Sequence, residues 1–161
     1  TLGTTYFLLE GGWASAGLPY QKLFDTNGLG RDFRILLDEH TFHTMIPYEF
    51  ISNRFVAFFF RHNFKSIFGK WKFIQPELSV VHNLSFGALD RPDLHRGMIF
   101  DTLEKGYYEA GLILDNLIGI NYLNVGTIGL GLGGFYRYGP YARDTWQENV
   151  GVQVTFNFGI L

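Results

Sequence analysis

The 161-residue chain contains no cysteine, which excludes a disulfide scaffold and any thiolate-based metal site. It has no long apolar run either. Nothing approaches the roughly 18 consecutive apolar residues of a membrane helix, so a helical membrane protein is excluded. An excess of positive charge is also missing. The formal net charge is −2, with no basic run or basic face to draw a nucleic acid. Serine is sparse and no Ser-His-Asp order stands out, so no catalytic constellation can be read and a non-enzymatic protein without a cofactor is expected.

What is present favours strands. The chain holds 17 Phe, 9 Tyr and 20 Gly, and aromatic, Gly-rich text with β-branched residues suits sheets better than helices. Its mean hydropathy is close to neutral, which leaves a membrane barrel open because alternating strands average out.

The last segment carries the clearest pattern. From Asn149 to Ile160 every even position is apolar and every odd one is polar or Gly, which predicts one long strand with two chemically opposite faces. A membrane-spanning strand needs about 9–11 residues. Further strands are predicted near 4–13, 48–64, 72–88, 105–114 and 118–138. In 105–114, Tyr108, Ala110, Leu112 and Leu114 oppose Tyr107, Glu109, Gly111 and Ile113. In 72–88, Ile74, Leu78, Val80, Leu84 and Phe86 oppose Gln75, Glu77, Ser79, Asn83 and Ser85. Asp115-Asn116-Leu117 is expected to be a tight turn, and Gly133-Gly134 a bulge. The stretch 55–60 is apolar at every position and leaves the facing of its strand open, as does 4–13.

The connections predicted between these strands alternate long and short: a long outer loop over 14–45, then 65–71, 89–104, 115–117 and 139–147. Outer-membrane barrels sort their loops in this way. Aromatics gather toward the two strand ends, with Trp13, Tyr48, Phe50, Tyr107, Tyr108, Tyr136, Tyr138 and Trp146 at one level and Phe64, Phe68, Trp71, Phe73, Tyr122, Phe156 and Phe158 at the other. The expected fold is therefore all-β: an antiparallel transmembrane β-barrel in a bacterial outer membrane. Six strands fall short of the roughly 8 that such a barrel needs. No export signal opens the chain, and Thr1 to Phe7 reads as the interior of a protein. The chain is thus expected to be the C-terminal part of a larger barrel whose N-terminal region is missing.

Three resemblances support this. Asn149, Gly151, Val154 and Phe156 follow the order polar-x-Gly-x-x-apolar-x-aromatic, which resembles the C-terminal signal that hands outer-membrane barrels to the barrel-assembly machinery; here Asn157 to Leu161 follow the aromatic. Gly3-Thr4-Thr5-Tyr6, Leu18-Pro19-Tyr20, Tyr48 to Phe55 and Phe135 to Tyr141 resemble an uncharacterised Bacteroidota-type family of outer-membrane barrels, often preceded by a carboxypeptidase-regulatory-like domain. That likeness implies location and shape. More distantly, one strand, a long loop beginning Leu18-Pro19-Tyr20-Gln21-Lys22-Leu23-Phe24 and then five strands is similar to the end of the surface-antigen superfamily of barrel-assembly and secretion proteins. There the loop folds into the lumen and carries Arg-Gly-aromatic at its tip. This chain has Arg31-Asp32-Phe33, so the role of that arginine is not carried over.

Local chemistry is sparse. His40 and His43 beside Asp38 and Glu39 have ligand-like spacing but read as a solvated polar loop. Asp25-Thr26-Asn27-Gly28-Leu29-Gly30 lacks the acidic offsets of a calcium loop and reads as a turn. Gly129-x-Gly131-x-Gly133-Gly134 lies inside a strand, so it is no phosphate loop; small inward residues there make room for a loop or let the strand bend. Glu109 and Asp115 fall on the predicted inward face, where they line a wet lumen or contact the in-folded loop. Arg31 and Arg34 of that loop are the expected partners. The functional expectation is envelope protein assembly or translocation, with a structural subunit of an outer-membrane complex or a small-solute channel as alternatives. The expected partners are outer-membrane lipid, the assembly machinery and other envelope proteins.

Overall fold

Alternation along the chain becomes, in three dimensions, one antiparallel sheet. The computed structural model describes residues 3–30, 35–36, 40–65, 75–122 and 126–160. Six long strands lie side by side in chain order: β1 (Thr4–Trp13), β5 (Arg54–Asn63), β6 (Glu77–Ala88), β7 (Tyr107–Tyr122), β8 (Gly126–Tyr138) and β9 (Val150–Ile160). Three two-residue strands complete the inventory among the described residues: β2 (Phe24–Asp25), β3 (Ile35–Leu36) and β4 (Ile51–Ser52). β2 pairs with β4, and β3 lies parallel to β9 at the sheet edge. Among the described residues the fold is all-β and the sheet is not closed.

Two local expectations are corrected. Residues 115–117 are not a turn. β7 runs through them to Tyr122, and the connection to β8 falls at 123–125. Leu114 pairs with Leu132 and Ile118 with Leu130, so β7 carries two extra residues opposite Gly131. Asn116 takes a left-handed conformation there, with φ 56°, which Asn tolerates through its short polar side chain. The bulge expected at Gly133-Gly134 is absent. Gly133, Gly134 and Phe135 pair in unbroken register with Gln153, Val152 and Gly151.

The connections are sorted less cleanly than expected. At one end of the sheet lie 14–53, 89–106 and 139–149; at the other lie 64–76 and 123–125. Because β6 begins at Glu77, the connection before it is no shorter than 139–149.

The two faces of the sheet are opposite in kind, and the burial is inverted relative to a water-soluble sheet. On one face Val80, Leu112, Leu114, Leu132, Val152, Val154 and Phe156 are exposed or half-exposed, continuing through Val56, Phe58 and Phe60 to Phe7 and Leu9 on β1. On the other, Ser79, Asn83, Ser85, Glu109, Asp115, Arg137, Gln153 and Thr155 are buried. Phe59, Val81, Tyr107, Ile113 and Phe135 share that polar face.

Described parts of the segment between β1 and β5, residues 14–30 and 40–53, cover the buried face. Phe42, Met45 and Phe50 are fully buried and form one cluster with Ala57, Phe59, Leu103 and Tyr107. Each such side chain contributes about 1.5–3 kcal/mol of burial. Leu29 packs on a second cluster of Val81, Ile113 and Phe135. Phe50 and Tyr107 are therefore interior residues, not members of an exposed aromatic band. Trp13, Tyr48, Tyr136 and Trp146 are exposed, as are Phe64 and Phe156 toward the other end. Phe68, Trp71 and Phe73 lie outside the described residues.

The sheet bends toward the segment. Cα atoms of β7 and β9 approach within 8 Å across β8, where two flat strand spacings would place them about 9–10 Å apart. Glycines of β8 allow this. A Cβ on Gly131 would strike Thr155 Oγ1, the Leu114 carbonyl and Asp115 Cα, and one on Gly129 would strike the Asn116 side chain.

Candidate functional site

The polar groups of the buried face converge on three carboxylates. Glu109, on the inward side of β7, is fully buried. Its Oε1 accepts from the backbone N–H of His43 at 3.1 Å and from Asn83 Nδ2 at 3.0 Å. Its Oε2 accepts from the backbone N–H of Thr44 and from Thr44 Oγ1, both at 2.6 Å. Tyr107 extends the chain, its hydroxyl 2.7 Å from Thr44 Oγ1. Two consecutive N–H groups of the segment thus aim at one carboxylate, which fixes the segment's backbone and not merely a side chain.

Asp115 sits in the β7 bulge. Its Oδ2 is 2.7 Å from Arg61 NH2, and its Oδ1 accepts from Thr155 Oγ1 at 2.6 Å. Arg61 Nε also donates to Ser79 Oγ at 3.3 Å. One carboxylate on β7 therefore joins β5 and β9, each two strands away. That reach follows from the extra residues of the bulge and from Gly131 beneath it.

Glu49 is the third. Its Oε1 receives Arg137 NH1 at 2.7 Å and Arg143 NH2 at 3.0 Å, while its Oε2 accepts from the backbone N–H of Ile46. The Arg137 guanidinium lies over Tyr107, 4.8 Å from the ring centre, and 5.6 Å from that of Phe50. A buried arginine between aromatic faces, with a carboxylate at its tip, is held in one geometry.

His43 departs from the solvated-loop expectation. It is buried and stacked on Phe135, ring centres 3.8 Å apart, and its Nδ1–H donates to Gln153 Oε1 at 3.0 Å. An aromatic residue with small inward neighbours leaves a flat seat for the imidazole. His40 is exposed and hydrogen-bonds through Nε2 to the Tyr6 hydroxyl of β1 at 2.6 Å. The stretch Asp25 to Gly30 is not a free turn. Gly28 bridges to Phe42, and Asp25 Oδ1 accepts the Tyr48 N–H at 3.1 Å. Partial burial raises the Asp25 carboxyl above its ordinary range, and the Tyr48 N–H opposes that shift.

Of the residues singled out in the sequence, Glu109 contacts the in-folded segment through His43 and Thr44. Asp115 contacts other strands, and Arg61 is its cation. Arg31 and Arg34 lie outside the described residues. Asn149 is buried and ties the loop before β9, accepting from Arg143 N–H and donating to the carbonyls of Arg143 and Thr145. Gly151 faces the segment, where a Cβ would sit 3.1 Å from the His43 carbonyl. Val154 and Phe156 are on the apolar face. Reasoning from sequence missed Thr44, Arg61, Glu49 and Arg137. For Arg137 a signal existed, since it shares the odd-numbered face with Gly133 and Phe135.

Chemically the arrangement is a clamp. Each of the three carboxylates is engaged by donors within the fold, and the hydrogen bonds run between the segment and the strands. Comparison with protein-family models, with curated proteins and with solved structures yields no match.

Proposed function

We propose that this chain is the C-terminal part of an integral outer-membrane β-barrel, with its apolar face in lipid and the 14–53 segment filling the lumen. The observation that carries this reading is the inverted burial. An apolar face runs uncovered across six strands, with Phe7, Leu9, Leu112 and Ile118 each more than half exposed, whereas soluble monomers rarely expose large contiguous apolar patches. The opposite face holds carboxylates, amides and hydroxyls packed under the chain's own segment. Closure requires further strands at the β1 edge and along β9, where the two-residue β3 covers only Val154 and Thr155, because open edges in hydrocarbon leave backbone groups unsatisfied.

Within that class, the reading favoured is a part in envelope protein assembly or translocation. Its support is the order of parts: one strand, an in-folded segment clamped at Glu109, then five strands. A structural subunit of an outer-membrane complex is the second reading, and the tight packing of the buried face favours it over a steady open channel.

Leu112, 56% exposed, tests the membrane placement by the sign of its response. Leu112→Arg should cost about 2–4 kcal/mol and block insertion if the face meets lipid near the midplane. Unchanged stability with improved solubility in buffer would remove the membrane reading. Depletion of the protein then tests the role. Accumulation of unassembled envelope proteins supports the assembly reading; intact assembly together with a stable stoichiometric partner moves the assignment to a structural subunit.

A further inference from the structure

Tyr48 has a left-handed backbone, with φ 60°. A bulky aromatic residue seldom takes that conformation, and where it does its surroundings hold it there. Here the Tyr48 N–H donates to Asp25 Oδ1 at 3.1 Å, and the next N–H, of Glu49, donates to the Ile46 carbonyl at 3.1 Å. The result is a tyrosine side chain raised from the fold and 61% exposed. A ring this open contributes little packing, so packing does not account for the strain.

Tyr20 belongs to the same corner. It opens the short 3-10 helix Tyr20–Lys22, which runs directly into β2, and its ring meets those of Phe100 and His95 at 6.0 and 6.3 Å. Asp101, next to Phe100, donates its N–H to the Glu49 carbonyl at 2.8 Å, which ties these rings to the residue after Tyr48. Burial raises the Tyr20 phenol above its ordinary range, and the nearby Asp25 carboxylate and Tyr48 hydroxyl raise it further. Asp25 is half-buried, and among the described residues no lysine or arginine forms an ion pair with it. Leu94, Met98 and Ile99, beside His95 and Phe100 in the chain, are exposed, Ile99 completely. Their connection is rich in charge, from Asp90 and Arg91 to Glu104 and Lys105, which keeps it out of hydrocarbon, so lipid does not account for them.

We propose that Tyr20, Asp25 and Tyr48 form a recognition site for an arginine side chain of another protein, with Leu94, Met98 and Ile99 receiving that partner's apolar neighbours. Charge selects the occupant. A carboxylate partly withdrawn from water is stabilised by a cation, and aromatic rings beside it favour an organic one. A hard divalent ion takes several oxygen ligands, and this corner presents one carboxylate. Arginine suits it better than lysine, because a planar guanidinium both stacks on tyrosine rings and pairs with a carboxylate. The apolar residues beyond the cluster give a free amine nothing to use, whereas a polypeptide covers them together with the cation site. The inference goes beyond the proposed function and does not depend on where the sheet's apolar face lies.

The test titrates the intact protein, purified in detergent, with the peptide acetyl-Leu-Arg-Leu-amide and with its citrulline counterpart, which has the same shape and no charge. The arginine peptide should bind about tenfold more tightly, and Asp25→Asn should erase that preference. Tyr48→Gly separates recognition from structure. Glycine adopts the left-handed backbone without strain and keeps the N–H bonded to Asp25, so this variant should melt at a higher temperature and yet bind the arginine peptide more weakly. Equal binding of the two peptides, or binding of neither, overturns the proposal. So does unchanged arginine binding by Tyr48→Gly. Acetyl-arginine amide binding as tightly as the peptide would overturn the choice of a protein partner and make the site one for small cations.

Discussion

The carboxylate of Glu109 and the backbone N–H of Thr44 meet at 2.6 Å, in a place where Glu109 has no exposure to solvent. This contact, with the His43 N–H and the Thr44 hydroxyl, holds the segment's backbone to β7. Glu109→Gln keeps the volume but turns one oxygen into a donor, which must then face a group that also donates. The expected loss is about 2–3 kcal/mol, seen as a lower denaturant midpoint and as protease cleavage within the segment. Unchanged protection of the segment would show that the clamp does not hold it.

Arg61 and Asp115 form a pair in which the acid is almost wholly buried, at 2% side-chain exposure. Arg61→Met leaves that carboxylate without its cation and should cost about 3–5 kcal/mol. Arg61→Met combined with Asp115→Asn should recover part of that loss, since the amide oxygen still accepts from Thr155. A double-mutant cycle measures the coupling; additive losses would mean that the two groups do not interact.

Gly131 and Gly134 give a paired prediction of opposite sign. Gly131→Ala drives a methyl into the Asp115 bulge and Thr155, and should destabilise by about 2 kcal/mol or more. Gly134→Ala meets no neighbour and should stabilise the strand by about 0.5–1 kcal/mol. Thermal or denaturant midpoints of the two variants check both at once.

Asp25 supplies a pH dependence. Burial raises its carboxyl in the folded chain above the unfolded value of 3.8. The folded state therefore holds this proton more tightly, and stability falls as pH rises from 3.8 through the raised value. Its stabilising contribution is fully present below 3.8 and is lost above the folded value. Asp25→Asn should flatten the stability profile over that window. An identical profile for the variant would assign the dependence to other groups.

The sheet was largely legible because strict alternation states which side chains share a face. Glu109 and Asp115 were placed on the inward side, and Tyr108, Leu112 and Leu114 on the other, by spacing alone. Two things were not legible. A left-handed Asn116 is a local backbone choice, and Asp115-Asn116-Leu117 looks the same whether it turns the chain or bulges it. The structure resolves that choice through long-range partners, Arg61 and Thr155, that no local window contains. The apolar run 55–60 hid its facing for a related reason. Phe59 is buried under Phe42 while Phe58 lies on the uncovered face, and a side chain that prefers either environment carries no signal of which one it meets. The clamp itself was half visible: its carboxylate stood out, but two of its donors are backbone N–H groups, which sequence does not distinguish from any others.

The in-folded segment touches Tyr6 on β1, Phe59 on β5, Glu109 on β7, Phe135 on β8 and Gln153 on β9. Those seats exist together only when the strands are in register, and β9 is the last of them in the chain. The entropy of closing so long a connection is compensated only after distant strands have paired. Docking of the segment is therefore a terminal event in folding. It works as a check on completion: a sheet with one strand missing or slipped by a residue presents the wrong side chains and leaves the segment free for proteases to cut.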